Sequence, residues 1–160
     1  MTYEVIELRK DCVGIGENEK FIKGDLFKLD WCNELDTALP TLMIVSGVFQ
    51  YFHENEILEF IKNAKNIFQD AELIFDATNK FGIRYSNIYV KRTGNKFALM
   101  YFYIENPDEF AKKVCCQLIE CRGFYKDALK MLSEKLSLYT KISMKIADKR
   151  NNAMILHLKL

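Results

Sequence analysis

No stretch of this 160-residue chain approaches the run of about 20 apolar residues that spans a bilayer. The amino terminus, Met1-Thr-Tyr-Glu-Val-Ile-Glu-Leu-Arg-Lys-Asp11, carries charges where a secretory leader needs an apolar core. A cytoplasmic protein without a membrane partner is the expectation. Neither sign of charge is in excess, since Lys+Arg 23 against Asp+Glu 22 leaves +1. No general attraction to nucleic acid or anionic lipid follows from that balance. The cysteines, Cys12, Cys32, Cys115, Cys116 and Cys121, are odd in number and contain no Cys-x-x-Cys. A disulfide framework and a zinc site are therefore not expected, and reduced thiols are the plain reading. The adjacent Cys115 and Cys116 suit a core better than a redox pair. Gly-x-Gly occurs once, as Gly14-Ile-Gly16, and follows a helical pattern where a cofactor turn would follow a strand. It reads as a helix stop.

What is present points to a packed fold. Apolar residues make up 49% and aromatics 13%, enough to exclude disorder. The length suits one domain over residues 1–160. Apolar residues at helical spacing predict a helix over Tyr3–Val13. Residues 20–23, Lys-Phe-Ile-Lys, read as a short strand, and the stretch with Trp31, Leu35 and Leu39 as one or two helical turns. The continuous run Thr41-Leu-Met-Ile-Val45 predicts a strand buried on both faces. Residues 53–68 place Ile57, Leu58, Ile61, Ala64, Ile67 and Phe68 on one helical face, with Glu54, Glu56 and Glu59 near its positive end. A second buried strand is expected over 71–76.

Further along, a helix near 83–90 leads into an aromatic-rich loop. Residues 107–115 read as a short helix capped by Asn106, with Pro107 in its first turn. A strand over 118–125, a long amphipathic helix over 127–146 broken near Tyr139-Thr140, and a strand over 153–160 complete the chain. Met131, Leu132, Leu136 and Met144 form an apolar stripe that reads as core. Strands alternating with helices predict a mostly parallel α/β sheet with an antiparallel pair at its end.

Three stretches stand in a telling order: Tyr3-Glu-Val-Ile-Glu-Leu-Arg-Lys10 with Phe21-Ile-Lys-Gly-Asp-Leu-Phe27, then Leu42-Met-Ile-Val-Ser-Gly-Val-Phe-Gln-Tyr-Phe52, then Ala71-Glu-Leu-Ile-Phe-Asp-Ala-Thr78. As an ordered set they resemble the leucine carboxyl methyltransferase family, within it the members similar to tetracenomycin-type polyketide O-methyltransferases. The resemblance covers nearly the whole chain. It implies an α/β, Rossmann-like class I methyltransferase sheet with helices on both faces, truncated at the N-terminus. The chain then starts where the family's second strand has just ended. The first two strands, the glycine-rich turn and the acidic residue that pairs with the cofactor's ribose would all be missing.

The resemblance also implies sites. S-adenosyl-L-methionine is the implied cofactor, with Asp25 and Leu26 at the adenine end; Asp25 equally suits a turn that caps the next helix. Ser46-Gly47 stands where the family has Glu-Gly, which exchanges a carboxylate for a hydroxyl. Tyr51 lines the cofactor pocket or fills the core. Tyr85, Tyr89 and Tyr101 fall in the region that shapes the acceptor pocket, and aromatics of this kind also fill cores. His53 is the candidate general base, since imidazole titrates near neutrality; a histidine that merely opens a helix is the alternative. His157 is given no role. The implied reaction is methyl transfer to a hydroxyl or carboxylate of a small-molecule acceptor. The alternative is a non-catalytic remnant that folds or self-associates without cofactor. In the family's sheet the missing strands lie between those matching 20–23 and 41–45. Either these two segments pair directly, or a homo-oligomer covers the exposed edge.

Overall fold

The computed structural model describes residues 3–95 and 98–160. Helix α1, Tyr3–Val13, stops where expected. Gly14 takes φ +78° and its amide closes on the Lys10 carbonyl at 2.8 Å, a left-handed terminator that glycine adopts without a Cβ clash. The next segment departs from expectation: residues 20–23 form no strand. An extended tetrapeptide becomes a strand only by exchanging main-chain hydrogen bonds with a neighbour. None of the described strands lies beside it. Its side chains are engaged elsewhere, Phe21 under the Arg9 guanidinium at 5.0 Å and Lys20 on Glu34 at 3.0 Å. Direct pairing of residues 20–23 with 41–45 is thus not found either.

The turns before Pro40 condense to a 3-10 segment, Asp30–Glu34. Strand β1, Thr41–Val45, then crosses through helix α2, Glu54–Ile67, into strand β2, Ala71–Ala77. The two strands pair in parallel, Thr41 opposite Ala71 and Val45 opposite Phe75. Helix α2 buries Ile57, Phe60, Ile61 and Ala64, the face its sequence period marks. The His53 amide donates to Glu56 Oε2 at 2.8 Å and so secures its start.

Helix α3, Lys80–Arg92, follows β2, and helix α4, Pro107–Lys113, begins at the expected cap: Asn106 Oδ1 accepts from the Asp108 amide at 3.0 Å. Strand β3, Gln117–Gly123, leads to helices α5, Lys126–Met131, and α6, Leu138–Lys149, and the chain returns as strand β4, Met154–Lys159. The break between α5 and α6 falls earlier than expected, because Ser137 Oγ accepts the Thr140 amide at 3.1 Å and starts a new helix there.

The sheet runs β1-β2-β4-β3. Strand β4 inserts between β2 and β3, antiparallel to both. Only the β1–β2 pairing is parallel, so the sheet is mixed and less parallel than expected, while the antiparallel end pair stands where the sequence placed it. Strands β2 and β4 turn Leu73, Phe75, Met154, Leu156 and Leu158 inward, each at most 1% exposed. Five phenylalanines, Phe49, Phe60, Phe75, Phe102 and Phe110, tile the core between sheet and helices in edge and tilted contacts, with centroids from 5.2 Å (Phe49–Phe75) to 6.4 Å (Phe49–Phe102).

Two further expectations are corrected. Strand β1 is not buried on both faces: Leu42 is 54% and Ile44 69% exposed, because β1 is an edge and no described element covers that face. The stripe Met131, Leu132, Leu136, Met144 is not core either. Met131 and Leu132 are exposed, and neither α5 nor α6 buries a residue. No helix among the described residues is long and apolar enough to cross a membrane.

Candidate functional site

The site grows from the carboxyl ends of the parallel pair, where open α/β sheets hold ligands. After β1 the chain turns at Ser46-Gly47. Gly47 takes φ +69°, and its amide donates to Asp76 Oδ1 at 2.6 Å. A carboxylate near the end of β2 thus ties down the turn after β1. A 3-10 turn, Phe49–Tyr51, follows. Phe49 anchors it in the core, while Ser46 and Tyr51 remain exposed. The Gln50 carbonyl accepts from the Tyr101 amide at 2.7 Å, and the Tyr101 ring lies 4.5 Å from the imidazole of His53. The structure thereby gathers Ser46, Gly47, Tyr51, His53 and Tyr101 along one rim with Asp76.

Asp25 and Leu26 reach the same neighbourhood from the loop before β1. Gly24 is dictated by packing: a Cβ there would stand 2.8 Å from the Cβ of Trp31. Asp25 Oδ1 accepts the Phe27 amide at 3.1 Å and turns the chain there, but the next helix starts only after Leu29, so Asp25 does not cap it. The Leu26 carbonyl accepts from Trp31 Nε1 at 3.4 Å. The Phe27 ring meets that of Phe52 at 4.4 Å and docks this loop beside the segment that carries Tyr51 and His53.

The acceptor candidates are not gathered in one place. Tyr101 lines a cavity of about 310 Å³ with Glu54, Asn106 and Lys113. Tyr85 lines a separate cleft of about 670 Å³ between α3 and α6. Tyr89, one turn further along α3, is exposed and absent from that cleft's walls.

Two groups stand out that residue type alone did not mark. Gln50 Oε1 and Thr78 Oγ1 are buried without a hydrogen-bond partner among the described residues. Buried polar atoms are nearly always partnered, so both depart from the usual pattern. Asn79 caps α3 by accepting the Gly82 amide at 2.8 Å, and its Nδ2 reaches the Arg150 carbonyl at 2.9 Å and Asn152 Oδ1 at 3.1 Å. Helix α3 is thereby locked to the chain entering β4. No signal in the sequence marks that contact, because it spans 73 residues and exists only once β4 has inserted beside β2.

The cysteines are free thiols. Burial raises the pKa of Cys32, Cys116 and Cys121, which favours the neutral thiol. Cys115 is exposed, contrary to a core role for both members of its pair. No cluster of three His, Cys, Asp or Glu that would hold a metal occurs among the described residues.

No protein-family model and no curated protein matches the sequence. Solved structures do. One is magnesium protoporphyrin IX methyltransferase from Synechocystis PCC 6803, solved with bound SAH. It superposes with a TM-score of 0.51 at 14% identity, over 98% of this chain and 57% of the other. The fold is that of a methyltransferase. A small RNA methyltransferase aligns with 86% of this chain and 15% of its own length, at 13% identity and a TM-score of 0.49. This chain spans little more than half the length of the first of these methyltransferases. In its methyltransferase fold, the rim described above sits at the carboxyl ends of the parallel strands.

Proposed function

We propose that this chain forms the adenine edge and acceptor side of an S-adenosylmethionine-dependent O-methyltransferase of the leucine carboxyl methyltransferase kind. The observation that carries this reading is the tie between Gly47 and Asp76 at the ends of β1 and β2, with an unsatisfied Gln50 Oε1 close by in sequence and a fold shared with a methyltransferase solved with SAH. The residues fit one end of the cofactor. Leu26 offers an apolar wall and Asp25 a carboxylate. The Gly47 turn presents no Cβ, and Ser46 and Tyr51 add hydroxyls. For the methionyl end the sequence has only Gly14-Ile-Gly16, which ends a helix.

S-adenosylmethionine supplies a methyl carbon on a positively charged sulfur. This chain's part is to position the acceptor oxygen in line with that carbon, and such positioning is most of what methyl transfer asks of a protein. His53, its ring exposed beside Tyr101, takes the proton when the acceptor is a hydroxyl; a carboxylate acceptor needs no base.

The test is thermal unfolding with added S-adenosylhomocysteine. At 100 times its dissociation constant a ligand adds about 2.7 kcal/mol, a rise of roughly 5–10 °C for a chain of this size. A melting temperature unmoved by millimolar ligand would sink the reading for this chain. It would favour the second one, a non-catalytic chain that self-associates, for which the open edge of β1 speaks.

A further inference from the structure

Charge that balances over the whole chain is segregated along it. Helix α3 has four basic residues, Lys80, Arg84, Lys91 and Arg92, and no acidic one. The segment 126–150, which holds α5 and α6, has seven basic residues and three acidic ones. These two segments carry a formal +8, so the rest of the chain carries −7 of the total of +1. Two of the three acids are already engaged, Asp127 with Arg122 and Asp148 with the Tyr125 amide. Among the described residues, no ion pair holds Arg84, Lys91, Arg92, Lys141, Lys145 or Lys149.

The same helices expose their large apolar side chains. Phe81, Tyr85, Ile88 and Tyr89 form one stripe along α3. Leu138, Ile142 and Ile146 recur every fourth residue along α6, beside Tyr139. All eight are exposed, from 47% for Ile146 to 82% for Tyr139. Phe81, Tyr85 and Tyr139 border the cleft between the two helices, so the stripes meet across its mouth. Lys141, Lys145 and Lys149 each follow a member of the α6 stripe by three residues, and so form a basic row at its side. Single exposed apolar residues need no explanation, but eight on two neighbouring helices mark an interaction surface.

We propose that α3 and α6 form a docking face for an anionic lipid bilayer. The apolar stripes enter the boundary between headgroups and acyl chains, and the flanking lysines and arginines meet the phosphates. Tyrosine suits that depth, with an apolar ring and a polar tip. No helix among the described residues is long and apolar enough to cross the bilayer, so the chain lies on its surface. A nucleic acid would use the charge and leave the aliphatic row Leu138, Ile142 and Ile146 in water. An apolar protein partner would cover the stripes and strand the unpaired cations. None of these residues belongs to the Gly47–Asp76 rim, and the proposal does not depend on cofactor binding.

Flotation of the full chain with vesicles of phosphatidylcholine, with and without phosphatidylserine, tests the proposal. The chain should float with the phosphatidylserine vesicles and stay behind with phosphatidylcholine alone. Raising salt from about 0.1 M to about 1 M shortens the Debye length from about 10 Å to about 3 Å and should release most of the bound chain. Lys145 and Lys149 are exposed, so changing both to Gln should leave the melting temperature unchanged while weakening vesicle binding roughly thirtyfold. Tyr139→Ser should weaken it about fivefold, again at unchanged melting temperature. The proposal is overturned by no flotation with either vesicle, by equal flotation with both, or by affinity unmoved in the double lysine variant. Tighter binding of a single-stranded RNA oligonucleotide than of vesicles overturns it and gives the face to nucleic acid. A native dimer that Leu138→Ser dissociates, without vesicle binding, overturns it and gives the face to a second copy.

Discussion

At the scale of single residues, the seam between α3 and the chain entering β4 has no slack. Gly82 sits in the first turn of α3, and a Cβ there would meet the Asn152 carbonyl at 2.3 Å and the Thr78 Cβ at 3.1 Å. The nearest obstacle is backbone, which cannot rotate aside. Gly82→Ala should therefore cost about 1–3 kcal/mol by overpacking, read as a fall in the urea midpoint at unchanged slope. Gly16→Ala is the control, because its nearest neighbour is the flexible Glu19 side chain at 3.3 Å; it should move the midpoint little. Equal effects at the two positions would show that the seam is not as tight as the distances state. The same residues mark the limit of what sequence alone conveys about the site. The turn at Ser46-Gly47 was legible because strand ends are local, and Gly47 takes φ +69° there. The orphaned Thr78 hydroxyl and the Asn79–Asn152 bridge were not, since both depend on a strand that arrives some 70 residues later.

At the scale of elements, the readable parts were those whose signals are local. The apolar face of α2, the Asn106 cap of α4 and the inward alternation of β4 each follow from their own residues. Residues 20–23 failed as a strand because strand identity belongs to a pair. Strand β1 was read as doubly buried because a continuous apolar run looks the same whether or not something covers its second face. That face now carries Leu42 and Ile44 in the open, on an edge strand without a single charge. Soluble proteins usually guard such edges with charge or proline. The expectation that a second copy covers this edge is tested by light scattering behind size exclusion. The native chain should elute as a dimer and Ile44→Lys as a monomer with unchanged circular dichroism. A monomeric native chain at tens of micromolar would remove the oligomer from the account.

At the scale of the whole molecule, burial is concentrated at the sheet's centre. Leu73, Met154, Leu156 and Leu158 are fully buried in β2 and β4, each central strand paired on both sides. Among the described side chains of α1 only Ile6 is buried, while Val5, Leu8 and Val13 are 49%, 63% and 77% exposed. Helices α5 and α6 bury nothing fully. Regions with few buried apolar contacts open at low free energy, well below global unfolding. Native-state hydrogen exchange should therefore show β2 and β4 amides exchanging only through global unfolding, and α1, α5 and α6 amides exchanging through local opening. Should α6 be as protected as β4, the division into a firm sheet and loosely held outer helices is wrong.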